Sequence, residues 1–330
     1  MALTLFLLLA TAMAIYWACE WFVNSVEWLG LKWGLGETAT GTLLAAFGTA
    51  LPESAVTLVA VAFGTGSGQQ DIGVGAAMAG PMVLSTITYG IVGLALMANA
   101  TKRGQSVRTV MVEVDRHRLS RDQGWFLIMS LFKVGCGFVV FAAKPWLGVL
   151  FLAAYGLYVR QELGGTQEAA QDLEPLTFRP HDAVPSMGWV ALQTGVALGI
   201  IFVASHLFVA QVEQVGLLLG VAPQVVSLLL SPIATELPET LNALIWVRQG
   251  REHLALANVS GSMMIQATVP TAFGIFFTPW IFDRTLTVSA AVTTLSVTIL
   301  FLLFRRGALS GFRLSLVFWL YLLFAGSLLV

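Results

Sequence analysis

The sequence predicts an all-α integral membrane protein of ten transmembrane helices, arranged as a five-plus-five inverted-topology repeat with broken helices at the midplane. Three observations carry this. Hydrophobic residues make up 57% of the 330 and charged residues only 11%, against roughly 25% charged in soluble domains, and a water-soluble fold of this length could not hide so much apolar surface. Apolar runs of spanning length, about 20 residues, recur along the whole chain. One short motif also occurs twice, as Gly48-Thr49-Ala50-Leu51-Pro52-Glu53-Ser54 and Ala234-Thr235-Glu236-Leu237-Pro238-Glu239-Thr240. Each copy sets a proline and a carboxylate inside an apolar run.

The predicted spans, in order, are 3–24, 37–63, 71–98, 124–142, 145–160, 187–212, 217–247, 254–277, 285–304 and 312–330. The first lacks the basic segment of a signal peptide, and Leu3 to Ala18 runs on into further apolar sequence, so it is read as a span. Two polar connections stand out: 99–123, rich in arginine, and 161–186, richer in acid. The second divides the chain into a first repeat, 1–160, a cytoplasmic linker, 161–186, and a second repeat, 187–330. With the N-terminus outside, all of the 17 lysines and arginines except Lys133, Lys144 and Arg284 fall on the inner side, so both termini are expected on the outer side of a cell membrane. Five spans per half make the second half enter from the opposite face. The two motifs then run antiparallel in spans two and seven, the arrangement that builds a midplane ion site at a repeat interface.

The motif chemistry follows from the residues. A glutamate at the bilayer centre costs roughly 2.5–3.5 kcal/mol on insertion scales, so carboxylates at that depth call for a compensating partner, most simply a cation. Pro52 has no N–H for the carbonyl of Gly48, and Pro238 none for that of Ala234, so a kink with freed carbonyls is expected at each. Such backbone is tolerated in lipid only where protein or a water-filled cavity surrounds it. Glu53 and Glu239 each follow the proline, and Glu236 lies three residues before Glu239 on nearly the same helical face. Carboxylates, carbonyls and threonine hydroxyls form an oxygen-only set. That suits Ca²⁺ better than Mg²⁺ or Zn²⁺, although Mn²⁺ accepts overlapping ligands.

These motifs resemble the cation/calcium exchanger superfamily, and within it the sodium/calcium exchanger-like membrane domain with two alpha repeats, here about 38–98 and 225–277. Each repeat of that family has a G-T-S-L-P-E helix followed by a helix beginning G-N-x-x-G-S-N. The resemblance implies Glu53 and Glu239 as calcium-coordinating carboxylates, with backbone oxygens of Thr49 and Thr235 completing the site. Departures accompany it. The motif serines are Ala50 and Glu236, and the helix after the first motif reads Gly75-Ala76-Ala77-Met78-Ala79-Gly80-Pro81, so the family's asparagine becomes Ala76 and its serine Gly80. One turn on stands Leu84. The second repeat keeps Asn258, Gly261 and Ser262, with Gln266 where relatives place an acid or amide. The first half thus lacks most side chains that would coordinate sodium, and Glu236 is the expected compensation: three carboxylates around one divalent ion leave surplus negative charge that a proton could neutralise when the cation leaves.

The resulting expectation is a secondary antiporter exchanging Ca²⁺, or a similar divalent cation, for Na⁺ or H⁺ by alternating access, with a cation channel as the second reading. The partners are transported cations and the lipid bilayer; no cofactor and no nucleic acid is implied. Catalysis is not expected, since the chain carries no G-x-G-D, H-E-x-x-H or P-loop motif. Cys19 and Cys136 are isolated in apolar runs and suggest neither disulfide nor metal-thiolate. His206 is read as a packed histidine rather than a proton relay, Glu20 and Glu27 as interfacial residues, and Glu162, Glu168, Asp172, Glu174 and Asp182 as a solvated linker.

Overall fold

The computed structural model describes residues 1–32, 37–102, 111–112, 116–163, 173–250, 252–306 and 309–328, with all side chains in them except those of 37–49, 101–102, 111–112, 116, 162–163, 233–234 and 254. The architecture is helical. In chain order the helices are α1 (Ala2–Lys32), α2 (Glu37–Phe63), α3 (Ser67–Val83), α4 (Tyr89–Lys102), α5 (Arg116–Gly137), α6 (Leu147–Leu163), α7 (Met187–Leu219), α8 (Pro223–Thr235), α9 (Leu237–Arg248), α10 (Glu252–Phe277), α11 (Arg284–Arg306), α12 (Gly311–Ser315) and α13 (Phe318–Ser327). A π-helical turn, Leu84–Thr88, joins α3 to α4. Two-residue strands β1 (Met111–Val112) and β2 (Leu309–Ser310) pair antiparallel, Met111 opposite Ser310. Helix dominates because lipid offers no partner to a backbone N–H or carbonyl, so each must be satisfied within its own segment.

Polarity is inverted relative to a soluble protein. Leu3, Phe6, Val140, Trp146 and Leu323 are exposed, while Thr57, Ser85, Thr86, Gln123, Lys133 and Gln266 are buried. Such a continuous apolar exterior marks a lipid-facing surface. Among the described residues four helices are long and apolar enough to cross a membrane: Ala2–Lys32, Ser67–Ala100, Met187–Leu219 and Arg284–Arg306. The others do not combine that length with that apolarity.

The predicted spans coincide with these elements, with differences at the ends. Residues 116–123, expected in the arginine-rich connection, belong to α5, and α1 runs on to Lys32. The described part of the 161–186 connection is anchored at points yet largely solvent-exposed, Glu174 and Asp182 included. Leu176 is fully buried, the Trp28 indole donates to the Glu174 carbonyl at 3.1 Å, and the Asn24 side-chain oxygen accepts from the Thr177 N–H at 3.1 Å. Glu168 and Asp172 lie outside the described residues, as does the side chain of Glu162.

The site lies where four elements cross. Helix α2 packs on α10 and α3 packs on α8, while α1 with α7 and α5 with α11 flank them; α6 packs on α10 and α4 on α12. Close approach of α3 and α8 depends on Gly75, where a Cβ would stand 2.9 Å from the Gln224 carbonyl oxygen and 3.1 Å from Ser227 Cβ. Ser227 in turn donates to the Ile72 carbonyl at 2.7 Å.

Candidate functional site

The two motif copies fold differently. Helix α2 continues through Pro52 as one element, where the sequence led us to expect a break. The second copy does break, at Glu236, whose φ of −105° and ψ of −9° separate α8 from α9. The physical reason is local. Ending α8 at Thr235 places Pro238 in the first turn of α9, where a missing N–H has no intrahelical partner to lose. The first copy has Ala50, the best helix former, where the second has Glu236.

Glu53 is 1% exposed, Glu236 1% and Glu239 0%. Glu239 sits in the first turn of α9, where the positive end of the helix dipole favours an anion. Both carboxylate oxygens of Glu53 and both of Glu239 lack any hydrogen-bond partner. An unpartnered buried carboxylate is among the most costly groups a protein can hold, so these four oxygens fit a cation bound as cargo. Glu236 differs. Thr235 Oγ1 donates to its Oε1 at 2.8 Å and Gln266 Nε2 to its Oε2 at 2.6 Å. The three carboxylates share one electrostatic field, Glu53 and Glu239 each feeling Glu236 after the loss of water on burial. Among the described residues, however, no three acidic, histidine or cysteine side chains converge closely enough to hold one metal ion.

Of the other predicted site residues, Thr235, Ser262 and Gln266 are buried beside this centre, and Asn258 is half-buried with its Nδ2 unpartnered. Gln266 keeps its Oε1 free while its amide holds Glu236. The backbone of Thr49 is part of α2, one turn before Glu53; its side chain lies outside the described residues. His206 stacks obliquely on Phe202 of its own helix at 5.1 Å, with its Nδ1 buried and unpartnered.

Sequence reasoning missed two residues. Gly80 is a cradle: a Cβ there would lie 2.5 Å from Glu53 Oε2 and 2.6 Å from Oε1 and Cδ, so the carboxylate rests against bare backbone of α3. Lys133, read from sequence only as a residue in or near the outer side, is 1% exposed within α5, four residues before its end at Gly137. Its Nζ donates to the Ala77 carbonyl at 3.4 Å, the carbonyl that Pro81, four residues on, cannot serve. The signal was available, for Lys133 stands at the centre of the predicted span 124–142, where an ionisable residue is a functional candidate.

The C-terminal end of α5 is fixed by an unusual loop. Trp280 adopts φ 49°, its indole donates to the Lys133 carbonyl at 3.1 Å, and its own carbonyl accepts from Lys144 Nζ at 2.9 Å. A left-handed tryptophan persists only where its surroundings over-determine it.

Comparison with known proteins agrees with this fold. A profile of the family described as sodium/calcium exchanger protein matches residues 3–161 and 189–330. The chain is 25% identical over 286 residues to the inner membrane protein YrbG of Escherichia coli (strain K12), spanning 84% of this chain and 81% of that protein. It is 22% identical over 283 residues to the putative antiporter CaxA of Alkalimonas amylolytica, spanning 85% and 82% respectively. Among solved structures, the H⁺/Ca²⁺ exchanger CAX superposes with a TM-score of 0.73 at 16% identity, covering 99% of this chain and 82% of that one. The sodium-calcium exchanger NCX_Mj gives 0.60 at 20% identity, covering 99% of each chain.

Proposed function

This chain belongs to the sodium/calcium exchanger protein family, and from that premise we propose that it is a secondary antiporter moving Ca²⁺, or a similar divalent cation, against Na⁺ or H⁺. The observation that carries the reading is the pair Glu53 and Glu239: two carboxylates sealed from the surface, four oxygens without a hydrogen-bond partner, on α2 and α9 of the two motif copies. A sealed site favours alternating access over a continuous pore, because the cargo must be released by rearrangement of the helices around it.

The packing supports a five-plus-five inverted repeat with halves 1–160 and 187–330. Number the spans α1, α2, α3 with α4, α5, α6, α7, α8 with α9, α10, α11, and α12 with α13. Span one then pairs with six and four with nine; two with eight answers to seven with three, and three with ten to eight with five. Shifting every span by five maps this set onto itself. The charge bias places both termini outside and the 161–186 connection in the cytoplasm.

The coordinating roles are Glu53 and Glu239 as cargo ligands, with backbone oxygens near Thr49 and Thr235 beside them. Glu236, with Thr235 and Gln266, forms a second tier that adjusts the charge around the cargo; Asn258 and Ser262 extend it along α10. The test is uptake of ⁴⁵Ca²⁺ into proteoliposomes under an imposed sodium gradient and, separately, a proton gradient with the membrane potential clamped. Uptake in one arm names the counter-ion. Glu53→Gln and Glu239→Gln should each abolish it while inserting normally, and wild-type flux in either variant would overturn the assignment.

A further inference from the structure

Lys133 is a charge the antiport reading does not use, and four observations give it a role. It is buried at 1% in α5 and does not snorkel to an interface. Its ammonium has three donors, of which one reaches the Ala77 carbonyl at 3.4 Å, a long contact for a charged donor. The charge it feels is that of Glu53. Ala77, where the ammonium rests, and Gly80, where the Glu53 carboxylate rests, lie three residues apart on one face of α3. Lysine and glutamate therefore meet the same stretch of helix without a hydrogen bond between them, since both Glu53 oxygens stay free.

This is also the stretch where the first half has lost its polar side chains. Ala76, Gly80 and Leu84 correspond to Asn258, Ser262 and Gln266 of the second half. A monovalent cation approaching Glu53 would find few oxygens from α3. An ammonium on a four-carbon stem needs none.

We propose that Lys133 is a tethered cation that takes the place of one counter-ion beside Glu53. Glu53, Glu236 and Glu239 carry a formal −3, and Lys133 reduces the cluster to −2, the charge one divalent ion neutralises. When the divalent ion leaves, the ammonium remains and two monovalent ions complete the balance. Exchange is then one divalent for two monovalent and moves no net charge. Removing the lysine leaves −3, which demands a third monovalent ion and makes each cycle electrogenic.

The inference rests on the antiport reading, and the experiment separates the two. Full-length protein carrying Lys133→Met, which keeps length and removes charge, is compared with wild type and with Lys133→Arg. The first readout is ⁴⁵Ca²⁺ binding in detergent. Lys133→Met should bind at least about tenfold more tightly, as expected when a close like charge is deleted, and Lys133→Arg should stay near wild type. The second readout is coupling in proteoliposomes: a wild type that generates no exchange current, and Lys133→Met that does.

Unchanged binding and unchanged coupling in a monodisperse Lys133→Met protein would overturn the proposal, leaving Lys133 a helix-packing residue. Should that variant fail to fold, an exchange current from wild type, with three monovalent ions per divalent, would overturn it equally. A wild type that binds Ca²⁺ yet exchanges nothing would fail the antiport reading, while the binding comparison would still decide the role of Lys133.

Discussion

Substituting Gly80 tests the cradle under Glu53 directly. In Gly80→Ala a Cβ appears 2.5 Å from Glu53 Oε2, 2.6 Å from Oε1 and 2.6 Å from Cδ, where ordinary contact begins near 3.4 Å. The carboxylate must therefore retreat by about 1 Å, because a close-packed interior transmits such an overlap instead of absorbing it. What moves is the far end of a side chain, and no backbone atom of a neighbouring helix is among the three nearest atoms, so the fold should survive. The cost of inserting a methyl group into a filled site, about 1–3 kcal/mol, should fall on the bound state, weakening divalent affinity roughly 5- to 150-fold. Gly80→Ser, which restores the residue relatives carry here, adds the same Cβ and should weaken binding as well unless its hydroxyl becomes a ligand. The assay is equilibrium ⁴⁵Ca²⁺ binding beside a thermal melt of the same preparation. Wild-type affinity, or a lowered Tm with affinity intact, would refute the reasoning, because it would mean that Glu53 does not bind its cargo from this position.

Three further predictions address the remaining contacts. Glu236→Ser should alter the counter-ion dependence of uptake more than divalent affinity, since its oxygens are already engaged by Thr235 and Gln266; identical counter-ion curves would remove Glu236 from coupling. Gln266→Leu takes away the 2.6 Å donor to that carboxylate, a loss of about 1.5–3 kcal/mol for a charged hydrogen bond, and should lower the Tm. The effect should shrink in a Glu236→Ser background, and full additivity would show that Gln266 acts elsewhere. Lys144→Met strips donors from the carbonyls of Val139, Pro279 and Trp280, at 2.8, 2.7 and 2.9 Å, and should cost about 1–3 kcal/mol, measured as a fall in Tm with divalent affinity retained.

Much of the fold is legible in the sequence because lipid makes one demand of every segment. An apolar stretch of spanning length must be helical, and each of the ten predicted spans overlaps a helix or a broken pair of helices. Glu53 and Glu239 were legible for the complementary reason: a carboxylate beside a proline in such a stretch is costly unless it has work to do. The asymmetry between the copies, continuous through Pro52 but broken at Glu236, was not. It depends on whether Pro238 is carried inside a helix or placed in the first turn of a new one, and that depends on partners for Glu236 contributed by α8 and α10. Thr235 lies within the motif, but Gln266, thirty residues on in α10, lies outside any window of sequence around it.

Lys133 marks the deeper limit, since the rule that orders lysines by membrane side counts them as boundary markers. That treatment assigns no meaning to a lysine buried inside the helical bundle. What gives Lys133 meaning is a carbonyl on α3 left without a partner by Pro81, four residues beyond it, and a glutamate on α2 resting three residues along the same face. On the proposal for Lys133, the surplus negative charge of three carboxylates, for which the sequence pointed to a proton, is offset in part by a positive charge from a helix bearing neither motif. On that proposal coupling turns on the sum of four side chains, and a substitution that changes that sum should change the number of ions exchanged even where every cargo ligand is intact.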